Sequence, residues 1–185
     1  MDHAPGRPPR SEDVFRHLED LRTRTFEGAE SREDRVALFR RAVDLLDPVV
    51  RDVLDETNAT FLDGSGQVDH RSVHVDGSGD AVARWELSWP EQRQAGNVRR
   101  DGGVPPIQVV AWFAAGFNHP HLRGSQAGNW PLQVVDERDA RRQEPIVRAI
   151  AEAELHERIF EGTWRIVPAS GGRADDRPDQ ADERP

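Results

Sequence analysis

The sequence predicts an α+β domain, in which two N-terminal helices and one C-terminal helix pack mainly on one face of an antiparallel sheet of four or five strands. Three observations predict it. Apolar residues recur at helical spacing up to residue 53, alternate as in strands from residue 61, and return to helical spacing after residue 136. We expect a single domain over residues 11–168, because the ends at 1–10 and 169–185 are rich in Pro, Gly, Asp and Arg and are expected to be disordered.

Caps and apolar spacing together predict the two N-terminal helices. Ser11 can cap the first helix. Its apolar face would carry Val14, Leu18 and Leu21. Ser31 and the acidic residue three positions later form a capping-box pattern that opens the second helix.

The second helix carries the strongest periodic pattern in the chain, which we call the 36–53 seam. Its apolar residues recur at spacings of three and four: Val36, Phe39, Val43, Leu46, Val50 and Val53. Pro48 interrupts the seam and removes one helical hydrogen bond. The segment is therefore either one kinked helix or two helices, the second capped by Asp47. We expect the seam to pack within its own chain, or alternatively to pair with a second copy in a homodimer through the 36–53 helix.

The sheet is predicted to start with a hairpin around the turn-forming residues 76–80. After the turn, alternate residues are apolar and share one face: Ala81, Ala83, Trp85, Leu87 and Trp89. Residues 90–105 are typical of a long polar loop. The segment from Ile107 to Phe117 then predicts a strand that is buried on both faces and central in the sheet.

The C-terminal part completes the predicted fold. A loop over residues 118–129 leads to a short strand from Trp130 to Val135. Asp136 can cap one long helix that ends at Gly162. The last strand is predicted from Thr163 to Val167.

The composition excludes several kinds of chemistry. The chain has no Cys and no Lys, so it can form no disulfide, thiolate metal site, cysteine nucleophile or lysine Schiff base. The formal net charge of −9 argues against nucleic acid as a partner, because phosphate binding needs a basic surface. Neither a membrane-spanning apolar run nor a secretory signal is apparent. We therefore expect a cytoplasmic protein with no membrane partner.

The motif best suited to chemistry is Phe-Asn-His-Pro-His-Leu-Arg at residues 117–123, which follows the predicted central strand. Pro120 favours an extended conformation at His119, and alternate residues of an extended segment lie on one face about 6.6 Å apart. Two imidazoles so placed can bind one divalent ion at ~2.0–2.1 Å each, or can act as acid and base near neutral pH. His119 and His121 are therefore the candidate catalytic residues and the candidate ligands of one divalent metal ion.

A third metal ligand would have to come from elsewhere in the chain. His70 and His74 lie about 13 Å apart in a strand, which is too far for one ion, so at most one of them can contribute. His74 is the candidate, because it lies in the better-patterned segment. The alternative is that the histidines only fix the loop through hydrogen bonds to the backbone.

Three further residues could bind a small molecule beside the histidines. Arg123 can hold a carboxylate or phosphate, or can pair with a surface acid. Trp112 lies on the opposite face of its strand from Phe113, and Trp130 closes the histidine loop. Together the two tryptophans could wall an aromatic pocket.

The stretch from Ala111 to His121 resembles the first metal motif of the cupins, in which a strand leads into closely spaced histidines. The resemblance implies metal ligation by the histidine pair. Cupins continue with further strands and a second histidine motif, whereas this chain continues into a helix with His156 as its only later histidine. The short stretch therefore assigns no family.

These patterns leave two functions open. In the first, the chain is a small-molecule enzyme or binding protein whose site lies at the end of the central strand, with or without a metal ion. In the second, it is a protein-interaction or regulatory module without catalytic activity. The 36–53 seam or the 90–105 loop would then meet a partner, and the histidines would be structural.

Overall fold

The computed structural model describes residues 9–93, 103–125, 128–162 and 166–168. In chain order its elements are α1 (Pro9–Thr23), α2 (Arg32–Phe61), β1 (Gln67–Val75), β2 (Ala81–Ser88), a short 3₁₀ helix (Pro90–Arg93), β3 (Ile107–Phe113), β4 (His121–Arg123), β5 (Asn129–Pro131), α3 (Glu137–Arg142) and α4 (Glu144–Gly162). The fold is α+β, with helices before and after an antiparallel sheet, as the sequence predicts. In this part of the chain, no helix is both long and apolar enough to cross a membrane.

α2 is one continuous helix, which decides between the alternatives at Pro48. Ser31 caps it, and its hydroxyl accepts a hydrogen bond from the Asp34 backbone N–H at 3.0 Å. From Phe39 onwards the side chains of the 36–53 seam are at most 1% exposed, because the sheet, α3 and α4 pack around α2. The structure therefore contradicts the predicted homodimer through this seam, because the rest of the same chain already covers the seam.

The sheet has the strand order β1-β2-β3-β4-β5, and every neighbouring pair is antiparallel. β3 is the central strand, as predicted, although it ends at Phe113 and not at Phe117. The predicted hairpin joins β1 to β2. In its turn the Asp76 carboxylate accepts hydrogen bonds from the backbone N–H and the hydroxyl of Ser78.

The two faces of the sheet have different environments. On β2 the residues that face the helices are fully buried, while the residues between them are only partly buried. Directly paired residues of neighbouring strands point to the same side, so the register carries this alternation across the sheet. We call the side away from α2 and α4 the open face; it carries Arg84, Glu86, Gln108, Trp112, His121 and Arg123.

β4 lies inside the segment that was predicted to be a loop. It has three residues, too few for an alternating pattern to be visible in the sequence. The helix predicted after Asp136 is also divided, because α3 ends at Arg142 and α4 starts at Glu144. Pro145 accounts for the break: its ring has no N–H to donate and clashes with a carbonyl of the preceding turn.

Several predicted segments are described only in part. Residues 94–102 of the predicted polar loop and residues 163–165 of the predicted last strand lie outside the described residues. Ile166 and Val167 are not in a strand. The predicted tails also lie outside, except that residues 9 and 10 begin α1.

The apolar spacing of α1 predicts that its apolar side is buried, whereas in the structure its polar side packs against the protein. Four apolar side chains, which we call the α1 stripe, are 44–50% exposed: Val14, Phe15, Leu18 and Leu21. The polar side of the helix faces the protein instead, with Arg16 lying 2.8 Å from Asp139 and Arg142 lying 3.1 Å from Asp13. Burial raises the pKa of the Asp13 carboxyl. α1 thus adds a polar, ion-paired layer beside β5 to a core that α2, α4 and the sheet already close.

Candidate functional site

Three histidine rings lie together at the start of β4. His119 and His121 flank Pro120 on the chain that enters β4, and His17 comes from α1. The ring centroids lie 3.9 Å apart for His17 and His119, 4.5 Å for His119 and His121, and 6.2 Å for His17 and His121. We call these three residues the histidine cluster. The structure brings together the pair that the sequence singled out and adds a third imidazole.

Sequence reasoning missed His17, which no motif surrounds. The available signal was its place on the polar side of a helix, where Asp13, His17 and Asp20 recur at helical spacing. The apolar pattern of α1 predicts that this polar side faces solvent. In the structure it is the packed side, and Asp13 and Asp20 are 7% and 5% exposed.

The surroundings of the histidine cluster favour neutral imidazoles. Burial lowers the pKa of all three rings, and it is the largest cause in each case. The pKa of His121 falls to about 4, through burial first and then through repulsion from His119, His17 and Arg123. A neutral imidazole keeps a lone pair on one ring nitrogen, and this is the form that binds metal ions.

The ring nitrogens of the histidine cluster differ in their partners. Nδ1 of His119 lies 3.3 Å from the Pro120 carbonyl oxygen. In the tautomer with the proton on Nδ1, this nitrogen donates to the carbonyl, and the lone pair is on Nε2. Nδ1 of His17 and Nδ1 of His121 are buried and have no hydrogen-bond partner among the described residues. A buried nitrogen of this kind needs an acceptor if it carries the proton, and a donor or a cation if it carries the lone pair; the described residues bring neither an acceptor nor a donor to it.

Three imidazoles are a donor set that suits Zn²⁺ and related divalent ions. Around a tetrahedral ion, with metal–nitrogen distances of ~2.0–2.1 Å, the ring centroids would be roughly 5 Å apart. The observed spacings, from 3.9 to 6.2 Å, lie on both sides of that value. No group of three His, Asp or Glu side chains in the described ranges is already arranged to hold an ion. Binding would therefore need the three side chains to rearrange around the ion.

No protein-family model, curated protein or solved structure matches this chain. An α+β architecture by itself indicates no function, because one fold can carry many unrelated sites. The functional conclusion therefore depends on the chemistry of the site.

His74, the third ligand suggested by the sequence, is not part of the histidine cluster. His74 on β1 pairs with Val82 on β2. Val82 pairs with Trp112 on β3, and Trp112 pairs with His121 on β4. His74 and His121 therefore share a row and a face of the sheet but lie three strand spacings apart, about 14 Å. A single ion cannot bind both, so α1 and not β1 supplies the third imidazole.

Arg123 and Trp112 lie beside the histidine cluster on the open face. The guanidinium carbon of Arg123 lies 4.4 Å from the centre of the Trp112 ring. Phe117 joins this pair to the histidines, with ring centroids 5.2 Å from Trp112 and 5.4 Å from His121. The indole N–H of Trp112 donates to the Asp80 carboxylate at 2.9 Å, which fixes the plane of the ring.

Trp130, the second wall of the pocket suggested by the sequence, lies on the other side of the sheet. It pairs with Leu122, whose side chain is buried in the core, and it packs against that core. Neighbouring residues of a strand point to opposite faces, so a partner of Leu122 cannot share a face with His121. The pocket walled by both Trp112 and Trp130 does not form.

A buried polar network holds the far end of β4 against α4. Glu154 and Arg158 are each 1% exposed, and their charged groups lie 2.7 Å apart. Ser125 donates its backbone N–H and its hydroxyl to the Glu154 carboxylate at 2.8–2.9 Å. Gly124 permits this approach, because a Cβ at that position would lie 2.6 Å from a Glu154 oxygen. The strand that carries the site is thus fixed at its C-terminal end.

A groove of about 490 Å³ lies between α2 and α3. Its charged lining consists of Asp44, Asp52, Glu137 and Arg141, all of which are exposed to solvent. It brings no imidazole or hydroxyl group together with these charges. The groove therefore offers less chemistry than the histidine cluster.

Proposed function

We propose that this protein is a small-molecule enzyme or binding protein whose site is the histidine cluster carrying one divalent transition-metal ion. One observation carries the proposal: three imidazoles from two separate elements are in contact, and two of them have buried Nδ1 atoms without a partner in the described residues. The lowered pKa of each ring supports it, because neutral imidazole is the ligand form.

The three rings would contribute different nitrogens to the ion. His119 would bind through Nε2, since its Nδ1 can donate to the Pro120 carbonyl, as ligand histidines usually do to a backbone or carboxylate oxygen. His17 and His121 would bind through Nδ1. Three protein ligands would leave room on the ion for water or for a small ligand, as catalytic zinc sites do. The ion would then polarise a bound ligand or lower the pKa of a bound water.

Zinc titration of the tag-free protein by calorimetry tests this proposal. We expect one Zn²⁺ per chain in the wild type. His17→Gln should weaken binding by at least ~100-fold, because it removes one of three ligands, a larger loss than a supporting contact produces. His74→Gln is the matched control, since it removes a histidine of the same sheet face, three strands away, and it should leave the affinity unchanged. The proposal fails if the wild type takes up no stoichiometric zinc or if His17→Gln binds it equally well.

A second candidate function, protein association, is favoured by the α1 stripe. Val14, Leu18 and Leu21 lie together on one helix face and are 44–46% exposed, and contiguous exposed apolar patches are typical of interfaces. We infer that the occupant of the stripe is a second copy of the chain, whose identical stripe can pack on it about a twofold axis.

Sedimentation velocity over a range of protein concentrations tests this association. A pair of short helices buries less than the ~1,200 Å² of a standard interface. We therefore expect a weak dimer, whose fraction increases with protein concentration. Leu18→Glu should keep the protein monomeric. Phe160→Glu, at an apolar side chain of α4 that is 81% exposed, is the control and should dimerise normally. A wild type that stays monomeric at every concentration, or a Leu18→Glu variant that dimerises as well, would contradict the inference.

A further inference from the structure

Arg123 is a cation that has no anionic partner in the part of the chain that the structure describes. It is partly buried on the open face, and its Nε is buried with no acceptor among the described residues. No carboxylate in the described ranges pairs with it, so the surface acid that the sequence offered as an alternative partner is not found there. Arg16, Arg142 and Arg158, by contrast, each have a carboxylate within 3 Å.

The contact of Arg123 with Trp112 places its guanidinium on the open face. Its guanidinium carbon lies over the Trp112 ring, and the Trp112 indole is itself anchored by Asp80. A guanidinium that rests on an aromatic face can still bind a carboxylate or phosphate through two parallel hydrogen bonds. The residue is therefore placed to bind an anion, while the described part of the chain supplies none.

Two aromatic side chains, Trp112 and Phe117, lie beside Arg123 and the histidine cluster. Trp112 pairs with His121, and Val110 pairs with Arg123, so all of these residues point to the open face. Phe117 lies between Trp112 and His121 and is 41% exposed. Arg123 and His121 are alternate residues of one strand, about 6.6 Å apart along it. A planar apolar group of about one ring fits that separation.

We propose that the site selects a small aromatic anion, with its carboxylate or phosphate on Arg123, its ring against Phe117 and Trp112, and its other end at the histidine cluster. This inference rests on the proposed function, because it names the substrate class of the same site. The chain is acidic overall, with a formal net charge of −9, and a general surface attraction would not collect anions. Selection therefore depends on the Arg123 guanidinium, which no carboxylate of the described residues pairs with, and on the aromatic surface beside it.

Calorimetric titration with benzoate and with phenyl phosphate, each with and without zinc, tests the inference and tells the two anionic groups apart. Benzyl alcohol is the neutral probe. We expect the wild type to bind at least one of the anions and not the alcohol. Arg123→Gln should weaken anion binding by at least ~10-fold, as loss of a charge-assisted hydrogen bond does, and it should not weaken zinc binding, because it removes a positive charge beside His121. Arg123→Lys should recover part of the affinity, because it restores the charge but not the paired hydrogen bonds.

Arg84→Gln is the matched control, since Arg84 lies on the same face and is already paired with Glu86 at 3.6 Å. It should bind the anion as the wild type does. Zinc uptake without binding of either anion, or equal anion affinity in Arg123→Gln and the wild type, would overturn this inference and leave the proposed function standing. Anion binding that depends on Arg123 in a protein that takes up no zinc would overturn the proposed function and support Arg123 as the anion site.

Discussion

Replacing Glu154 by alanine is expected to lower the free energy of unfolding by about 3–5 kcal/mol, the cost of leaving one member of a buried ion pair alone. Arg158 would remain almost fully buried, at 1% exposure, and would lose its carboxylate. Ser125 would lose the acceptor of both its backbone N–H and its hydroxyl. Urea unfolding monitored by circular dichroism measures the difference.

Two further variants make this first prediction specific. Glu152→Ala removes an exposed carboxylate from the same helix and should change the free energy of unfolding by less than ~0.5 kcal/mol. Adding Arg158→Met to Glu154→Ala removes the unpaired charge, so the double variant should be more stable than Glu154→Ala alone. A Glu154→Ala protein within about 1 kcal/mol of the wild type would show that the network does not hold β4 against α4.

Saturating zinc is expected to raise the free energy of unfolding of the wild type by about 4 kcal/mol when free zinc is about 1,000 times the dissociation constant. The reason is that the folded chain holds His17, His119 and His121 together, whereas the unfolded chain leaves them dispersed. Urea unfolding at increasing zinc concentration measures the increase.

The zinc effect has its own controls. Magnesium prefers oxygen ligands and should produce no increase at the same concentration. His119→Gln should lose most of the zinc effect, while His156→Gln, which removes an exposed histidine of α4, should keep it. If His119→Gln were stabilised by zinc as strongly as the wild type, the ion would bind elsewhere on the chain.

Much of the fold is predictable because local chemistry and tertiary packing agree there. In α2, the Ser31 cap starts the helix and the 36–53 seam is the side that the sheet covers. In the β1–β2 hairpin, the turn residues and the alternation after residue 81 specify the same register. Each of these elements is long enough for its pattern to be visible without knowledge of the rest of the chain.

The orientation of α1 could not be predicted in this way. Apolar spacing shows which side chains share a helix face, but the face that is buried depends on partners far away in sequence. Arg16 finds Asp139 across 123 positions, and Arg142 reaches back to Asp13. These ion pairs turn the polar side inward, and His17 goes with it to the histidine cluster.

The candidate site was predictable only where it depended on a local motif. His119 and His121 form such a motif, and Arg123 and Trp112 lie where an extended segment beside the central strand places them. The positions of Trp130 and His74 relative to the histidine cluster depend on strand register and strand order. A shift of one position moves a side chain to the other face of a sheet, and the order of the strands sets the distance between two residues of one row. Neither the register nor the order is encoded in three-residue strands such as β4 and β5.

The central claim is that His17, His119 and His121 bind one metal ion, and anomalous diffraction from crystals soaked in zinc tests it most directly. We predict one strong peak within ~2.0–2.1 Å of Nδ1 of His17, Nε2 of His119 and Nδ1 of His121, with the rings drawn to a common point. A map with zinc only at surface carboxylates, and with the three rings still at their separations of 3.9, 4.5 and 6.2 Å, would contradict the claim.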